Sequence, residues 1–144
     1  MILVDANLLL YAYDGAARDH VLARDWWAER LNEPRPVRLA WTTILAFLRI
    51  ATHPRVFVEP LAVDEAVAHI ESWLVRPMVA VLEPGEQHWQ ILARLLKESQ
   101  AHGNLVADAH LAAMAIEHGA TLCSTDRDFS RFPDLSWQNP LAPK

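Results

Sequence analysis

The chain has 144 residues, 52% of them apolar and 22% charged, with a formal net charge of −5. That is the length and content of one domain with one filled core, so disorder is excluded. The negative charge argues against a protein that coats nucleic acid through a broad basic surface. It leaves room for an enzyme acting on nucleic acid, because a carboxylate cluster makes a protein acidic and the metal ions it holds supply the positive charge.

No apolar run reaches the roughly 18 residues of a membrane span. Met1-Ile2-Leu3-Val4-Asp5 lacks the basic start and apolar length of a signal peptide, so a cytoplasmic protein is expected. The single cysteine, Cys123, rules out an intramolecular disulfide and a cysteine zinc site, and its apolar run reads as a small buried hydrophobe.

Ile2 to Val4 is short, apolar and β-branched and reads as a buried strand. A helix follows over Asn7 to Tyr13. Val21 to Leu31 carries Val21, Leu22, Trp26 and Leu31 on helical spacing, and Pro34-Arg35-Pro36 breaks it. Val37 to Ala40 reads as a second strand. Thr42 or Thr43 is placed to cap a helix running to about Ala51, which His53-Pro54 ends. Asp64 is placed as the N-cap of a helix ending near Val75. Met78 to Leu82 reads as a third strand, and Pro84-Gly85 turns the chain into a helix from about Glu86 to Gln100. Leu105 to His118 is a strong helix with Gly119 at its C′ position. Ala120 to Cys123 is a fourth strand, and a short fifth lies near Leu135 to Trp137.

Strands alternating with helices imply a mostly parallel sheet with helices on both faces. The strands are apolar throughout, as a sheet covered on both sides requires. Ligands of such sheets bind just beyond the carboxyl ends of the strands. The acids fall there. Asp5 ends the first strand, Asp126 and Asp128 follow the fourth, and Asp108 lies in what reads as the first turn of the Leu105–His118 helix. Asp5 and Asp108 sit among apolar residues with no Lys or Arg close in sequence, where a carboxylate is costly unless paired or metal-bound. Oxygen ligands of this kind suit Mg²⁺ or Mn²⁺. Each acid also has a structural reading: Asp5 as an N-cap, Asp108 as a helix-dipole acid, and Asp126 or Asp128 as a turn cap or a partner of Arg127.

Met1-Ile2-Leu3-Val4-Asp5-Ala6-Asn7, the helix from Asp108-Ala109-His110-Leu111, and Ser124-Thr125-Asp126-Arg127-Asp128-Phe129 together resemble the acidic motifs of PIN domains, in order and spacing along almost the whole chain. Phe47-Leu48-Arg49-Ile50-Ala51-Thr52-His53-Pro54-Arg55-Val56-Phe57 and Phe129-Ser130-Arg131-Phe132 are similar to VapC toxins, in particular a group abundant in mycobacteria. The resemblance implies a three-layer α/β/α fold in one domain over residues 1–144, with a central, mostly parallel sheet of four to five strands. It implies an endoribonuclease using Mg²⁺ or Mn²⁺, the toxin of a toxin–antitoxin pair. A VapB-like antitoxin partner and a homodimer are implied with it. Asp5, Asp108 and Asp126 would bind the metal, directly or through water, and Asp128 would bind or orient one of the ligands from behind them. Asn7 and Thr125 would supply hydrogen bonds, and Arg49, Arg55, Arg127 and Arg131 are candidates to hold the RNA backbone. The family usually has a Glu where this chain has Ala46, and no acid lies between Leu39 and Val58. That departure weakens a second metal site.

Two other readings stand against the nuclease. A phosphatase with an Asp nucleophile uses a similar sheet, but the position two residues after Asp5 is Asn7 and no well-placed Lys follows. A catalytically decayed PIN-like module that binds RNA or protein is motivated by Ala46. The seven histidines show no metal-site spacing, and of the six tryptophans Trp26, Trp41, Trp73 and Trp89 read as core or dimer contacts before base-stacking platforms.

Overall fold

In the computed structural model, which describes residues 1–143, six α-helices and five strands alternate. The elements are β1 (Ile2–Val4), α1 (Ala6–Tyr13), α2 (His20–Leu31), β2 (Val37–Ala40), α3 (Trp41–Ala51) and α4 (Val63–Leu74). After them come β3 (Val79–Leu82), α5 (His88–Ser99), α6 (Asn104–His118), β4 (Thr121–Cys123), a 3-10 turn (Arg127–Arg131) and β5 (Trp137–Gln138). Every strand pair is parallel, and the order across the sheet is β3-β2-β1-β4-β5. The three-layer fold and mostly parallel sheet expected from the sequence are present, with five strands, all parallel.

Side chains alternate across this sheet, so one strand feeds two cores. Ile2 and Val4 of β1 pack under α1 to α4 with Leu9, Phe47 and Trp73, whereas Leu3 faces α5 and α6 with Leu122, Met114 and Leu95. β1 must therefore be apolar at every position, and all three of its residues are buried.

The chain lays β2 and β3 on one side of β1, then returns to lay β4 on the other. The strand order reverses between β1 and β4, and a crevice opens there at the carboxyl ends of the strands. The register is Leu3 opposite Leu122 and Val4 opposite Cys123, and Asp5 N donates to Cys123 O at 3.0 Å. Asp5 and Ser124 thus leave the sheet side by side at that crevice.

Several local expectations are corrected. α2 buries Ala23 and Trp27, while Val21 and Leu22 are 54% and 56% exposed. α3 starts at Trp41, directly from β2, without a side-chain cap; neither Thr42 nor Thr43 caps it. α4 starts at Val63, so Asp64 sits in its first turn and Glu65 reaches back to accept from Ala62 N at 3.2 Å. α6 starts at Asn104, which moves Asp108 into the second turn and removes the helix dipole as its explanation. Gly119 ends α6 in the left-handed region at φ 66°, as its C′ placement requires. Of the tryptophans, Trp73 is core, while Trp41 and Trp89 are 51% and 69% exposed.

Candidate functional site

Asp5 is held twice. It caps α1, Oδ1 accepting from Ala6 N at 2.8 Å, and Oδ2 accepts from Ser124 Oγ at 2.7 Å. The capping role seen in the sequence is therefore real and coexists with a place in the crevice. Asp126 Oδ1 caps the 3-10 turn by accepting from Asp128 N at 2.9 Å, which swings Asp128 towards Asp126. Asp108 approaches from α6. Asp108, Asp126 and Asp128 each offer a carboxylate oxygen, and these lie within 4.8 Å of one another. Asp128, expected as an outer member, belongs to this compact group, while Asp5 lies beside it across a shared cavity.

That cavity, of about 140 Å³, is lined by Asp5, Ala6, Thr42, Thr43, Ala46, Ala107, Asp108 and Leu111. Ala46 therefore stands on the wall of the acidic crevice, and the threonines expected as caps line it instead.

The electrostatics follow from this crowding. Burial first, then the charges of Asp126, Asp5 and Asp128, push the Asp108 carboxyl up to about 6. Burial also raises Asp5, against the lowering pull of its bonds from Ser124 and Ala6, and Asp126 raises it further. Cys123, one residue short of the site, is pushed up to about 11 by burial, which keeps it a thiol and inert.

Little cationic charge of the protein offsets these acids. Arg131 Nε reaches Asp128 Oδ1 at only 3.9 Å, with both side chains about half exposed. Arg49, Arg55 and Arg127 are exposed and make no ion pair among the described residues. Arg127 and Arg131 lie on the 3-10 turn that carries Asp128, and Arg49 lies one turn after Ala46 on α3. Arg55 lies beyond α3, in the turn after it, and no contact brings it to the acids.

Sequence reasoning missed Ser124 as a site residue. It is fully buried and holds three groups at once. Its Oγ donates to Asp5 Oδ2 and accepts from Asn7 Nδ2 at 3.2 Å and from Asp126 N at 3.0 Å. Asn7 Nδ2 also donates to Thr125 Oγ1 at 2.9 Å, so these two residues bond each other, and neither bonds a carboxylate among the described residues. The available signal was a small hydroxyl residue directly after the buried run Leu122-Cys123, where a polar side chain must find partners. Replacing Ser124 by Ala is expected to cost about 2 kcal/mol in urea unfolding, because it strips buried bonds from Asp5 and Asp126. It is also expected to reduce function about 10- to 100-fold by loosening both acids. Unchanged stability would contradict the role.

The donor set is all oxygen, and Asn7 Oδ1 is buried with no hydrogen-bond partner among the described residues. Unneutralised carboxylates and an orphaned amide oxygen beside them fit a hard divalent cation such as Mg²⁺ or Mn²⁺.

The family model for the PIN domain matches residues 2–135. Ribonuclease VapC43 of Mycobacterium tuberculosis is 39% identical over 141 residues, covering 98% of this chain and 96% of its own. Ribonuclease VapC37 of the same organism is 40% identical over 142 residues, covering 99% of both chains. Among solved structures, VapBC-1 from nontypeable Haemophilus influenzae superposes with a TM-score of 0.66 at 24% identity, over 99% of this chain and all of that one. Mycobacterium tuberculosis VapC20, described as a sarcin-ricin loop cleaving toxin, superposes with a TM-score of 0.65 at 17% identity, over 90% and 93% of the two chains. At those identities the structural likeness establishes the fold.

Proposed function

The chain belongs to the PIN-domain family, among the VapC ribonucleases, and from that premise we propose that it is the endoribonuclease toxin of a toxin–antitoxin pair, acting with Mg²⁺ or Mn²⁺. The observation that carries the chemistry is the convergence of Asp5, Asp108, Asp126 and Asp128, from three separate stretches of chain, at the point where the strand order reverses.

Asp108, Asp126 and Asp128 would hold the cation, with Asp5 beside them on the acidic wall. A divalent cation there would supply an activated water and neutralise the charge that builds on the phosphate. The remaining chemistry is positioning. Ser124 fixes Asp5 and Asp126, and Asn7 ties Ser124 to Thr125. Arg127 and Arg131, on the turn that carries Asp128, hold the RNA backbone, with Arg49 further along α3 and Arg55 beyond it. Holding the phosphate in line with the attacking water supplies much of the rate. No protein nucleophile is needed, since Cys123 is buried and protonated.

The protein works as one domain in the cytoplasm, as a homodimer, and is silenced by a small VapB-like antitoxin. No helix among the described residues is long and apolar enough to cross a membrane. The exposed Val21 and Leu22 on α2 and Trp41 and Leu45 on α3 give apolar surface for such partners.

Purified chain incubated with total RNA tests this. Discrete fragments are expected in Mg²⁺ or Mn²⁺ and none in EDTA. Folded protein that cuts nothing under any of these conditions would overturn the reading in favour of a decayed binding module.

A further inference from the structure

We propose that a second copy of this chain docks antiparallel on α3, with Leu45 at the two-fold axis and Arg49 of each copy set against Trp41 and Glu83 of the other. The proposal rests on the homodimer reading above and deepens it by naming the face, the pairing and a cation that one copy lends to the other's crevice.

The buried side of α3 is Thr43, Ile44, Phe47 and Ala51. Its exposed side is Trp41, Thr42, Leu45 and Arg49. A helix face left to water usually carries several charges. This one presents an indole 51% exposed and a leucine 60% exposed, with a single cation. Trp41, Leu45 and Arg49 are spaced four apart, so they form one ridge of the kind that packs against its like on a neighbouring helix. Trp41 is already held, its Nε1 donating to Glu83 Oε1 at 3.0 Å. A pinned side chain gives up little freedom on docking. Val106 of α6, beside the cavity-lining Ala107, adds exposed apolar surface near this face.

The ridge is self-complementary. Glu83 stands at its Trp41 end and Arg49 at the other, with Leu45 midway. Neither Glu83 nor Arg49 makes an ion pair among the described residues. A closed dimer uses one patch twice, so that residue i of one copy meets j of the other and j meets i. Antiparallel pairing about Leu45 satisfies this. The leucines meet at the axis, and each Arg49 reaches the ring of the partner's Trp41 and the carboxylate beside it. The amino end of each helix then lies against the carboxyl end of the other, which suits their dipoles. Parallel pairing would set arginine against arginine. The crevice adjoins this face, because Thr42 and Ala46 of α3 line the cavity with Asp5 and Asp108. The partner's Arg49 therefore adds a cation at the rim of an acidic crevice.

Sedimentation of the full chain at micromolar concentration tests this. The wild type is expected to be a dimer and Leu45→Glu a folded monomer. Arg49→Glu sets two acids together at each contact and Glu83→Arg two arginines, so each is expected to weaken the dimer at least about 100-fold. Mixed together, those two variants are expected to form a heterodimer, because both contacts then join opposite charges. That rescue reports this pairing and no other face, and it shows that both variants are folded. A monomeric wild type would overturn the proposal and the homodimer reading with it, leaving the face to a different protein. A dimer unchanged by Leu45→Glu and Arg49→Glu would overturn the proposal alone. So would variants that dissociate singly and fail to pair when mixed. Cleavage of total RNA by the wild type reads the nuclease separately.

Discussion

Asp108→Asn is expected to lower RNA cleavage at least about 10³-fold and, at the same time, to make the metal-free protein more stable at neutral pH. Both effects come from one carboxylate. Removing it takes a charged ligand from the cation and several kcal/mol from the stabilisation of the reacting phosphate, and each 1.4 kcal/mol is about tenfold in rate. Without the cation the same charge is a burden. The Asp108 carboxyl is raised from 3.8 to about 6 by burial and by Asp126, Asp5 and Asp128. Well below pH 4 it is protonated whether the chain is folded or not, and its environment costs nothing. As pH rises towards 6, the unfolded chain ionises freely and the folded one does so at a cost, so stability is lost through that window. Asp108 is half-buried, and solvent screening reduces the loss to about 1 kcal/mol, a few degrees in Tm. Melts in EDTA at pH 4.5 and 7.5 should show the variant gaining more on the wild type at the higher pH. Retention of more than a tenth of the cleavage would contradict the assignment.

Trp73→Ala is expected to cost about 3–5 kcal/mol, a large fraction of the 5–15 kcal/mol that holds a typical domain. Trp73 is completely buried and ties four helices together. From α4 it meets Trp27 of α2 edge-on at 5.5 Å, Phe47 of α3 at 5.0 Å and Tyr13 of α1 at 5.7 Å. Its Nε1 donates to Tyr13 Oη at 2.8 Å. Truncation leaves a cavity and removes that buried bond. Because α1 begins at the Asp5 cap and α3 carries Thr42, Thr43 and Ala46, loosening this cluster also blurs one wall of the crevice. Trp73→Phe should recover part of the packing but lose the bond to Tyr13. Urea unfolding reads both, and a loss below 1 kcal/mol for Trp73→Ala would contradict the picture.

Much of this architecture was legible in the residues. Ile2 to Val4 can only be a strand covered on both faces, so the acid that ends it must lie at a sheet edge. Asp108, among alanines and leucines, has no local reason to be charged. Alignment of motifs also put Ala46 at the crevice before the fold was known. What stayed hidden depends on three-dimensional partners. The hydroxyl of Ser124 has its meaning only because the β1–β4 register sets it against Asp5. The entry of Asp128 into the tight acidic group follows from the 3-10 turn that Asp126 caps, which the sequence does not announce. On α2, the two buried positions, Ala23 and Trp27, are four apart like any helical pair, but so are several exposed apolar residues. Hydrophobicity alone chose the wrong face, because an exposed Val or Leu awaiting a partner looks like core in one dimension.

One Mn²⁺ titration with two readouts tests the central claim most directly. The chain is stripped of metal, and Mn²⁺ is added while its binding and the initial rate of RNA cleavage are followed in the same buffer. If the acidic crevice is the catalytic centre, cleavage is zero without metal, its midpoint falls within a few-fold of the binding midpoint, and both curves vanish together in Asp126→Asn. Cleavage that persists without metal, or that saturates more than tenfold away from the binding curve, would contradict the account and place the chemistry elsewhere.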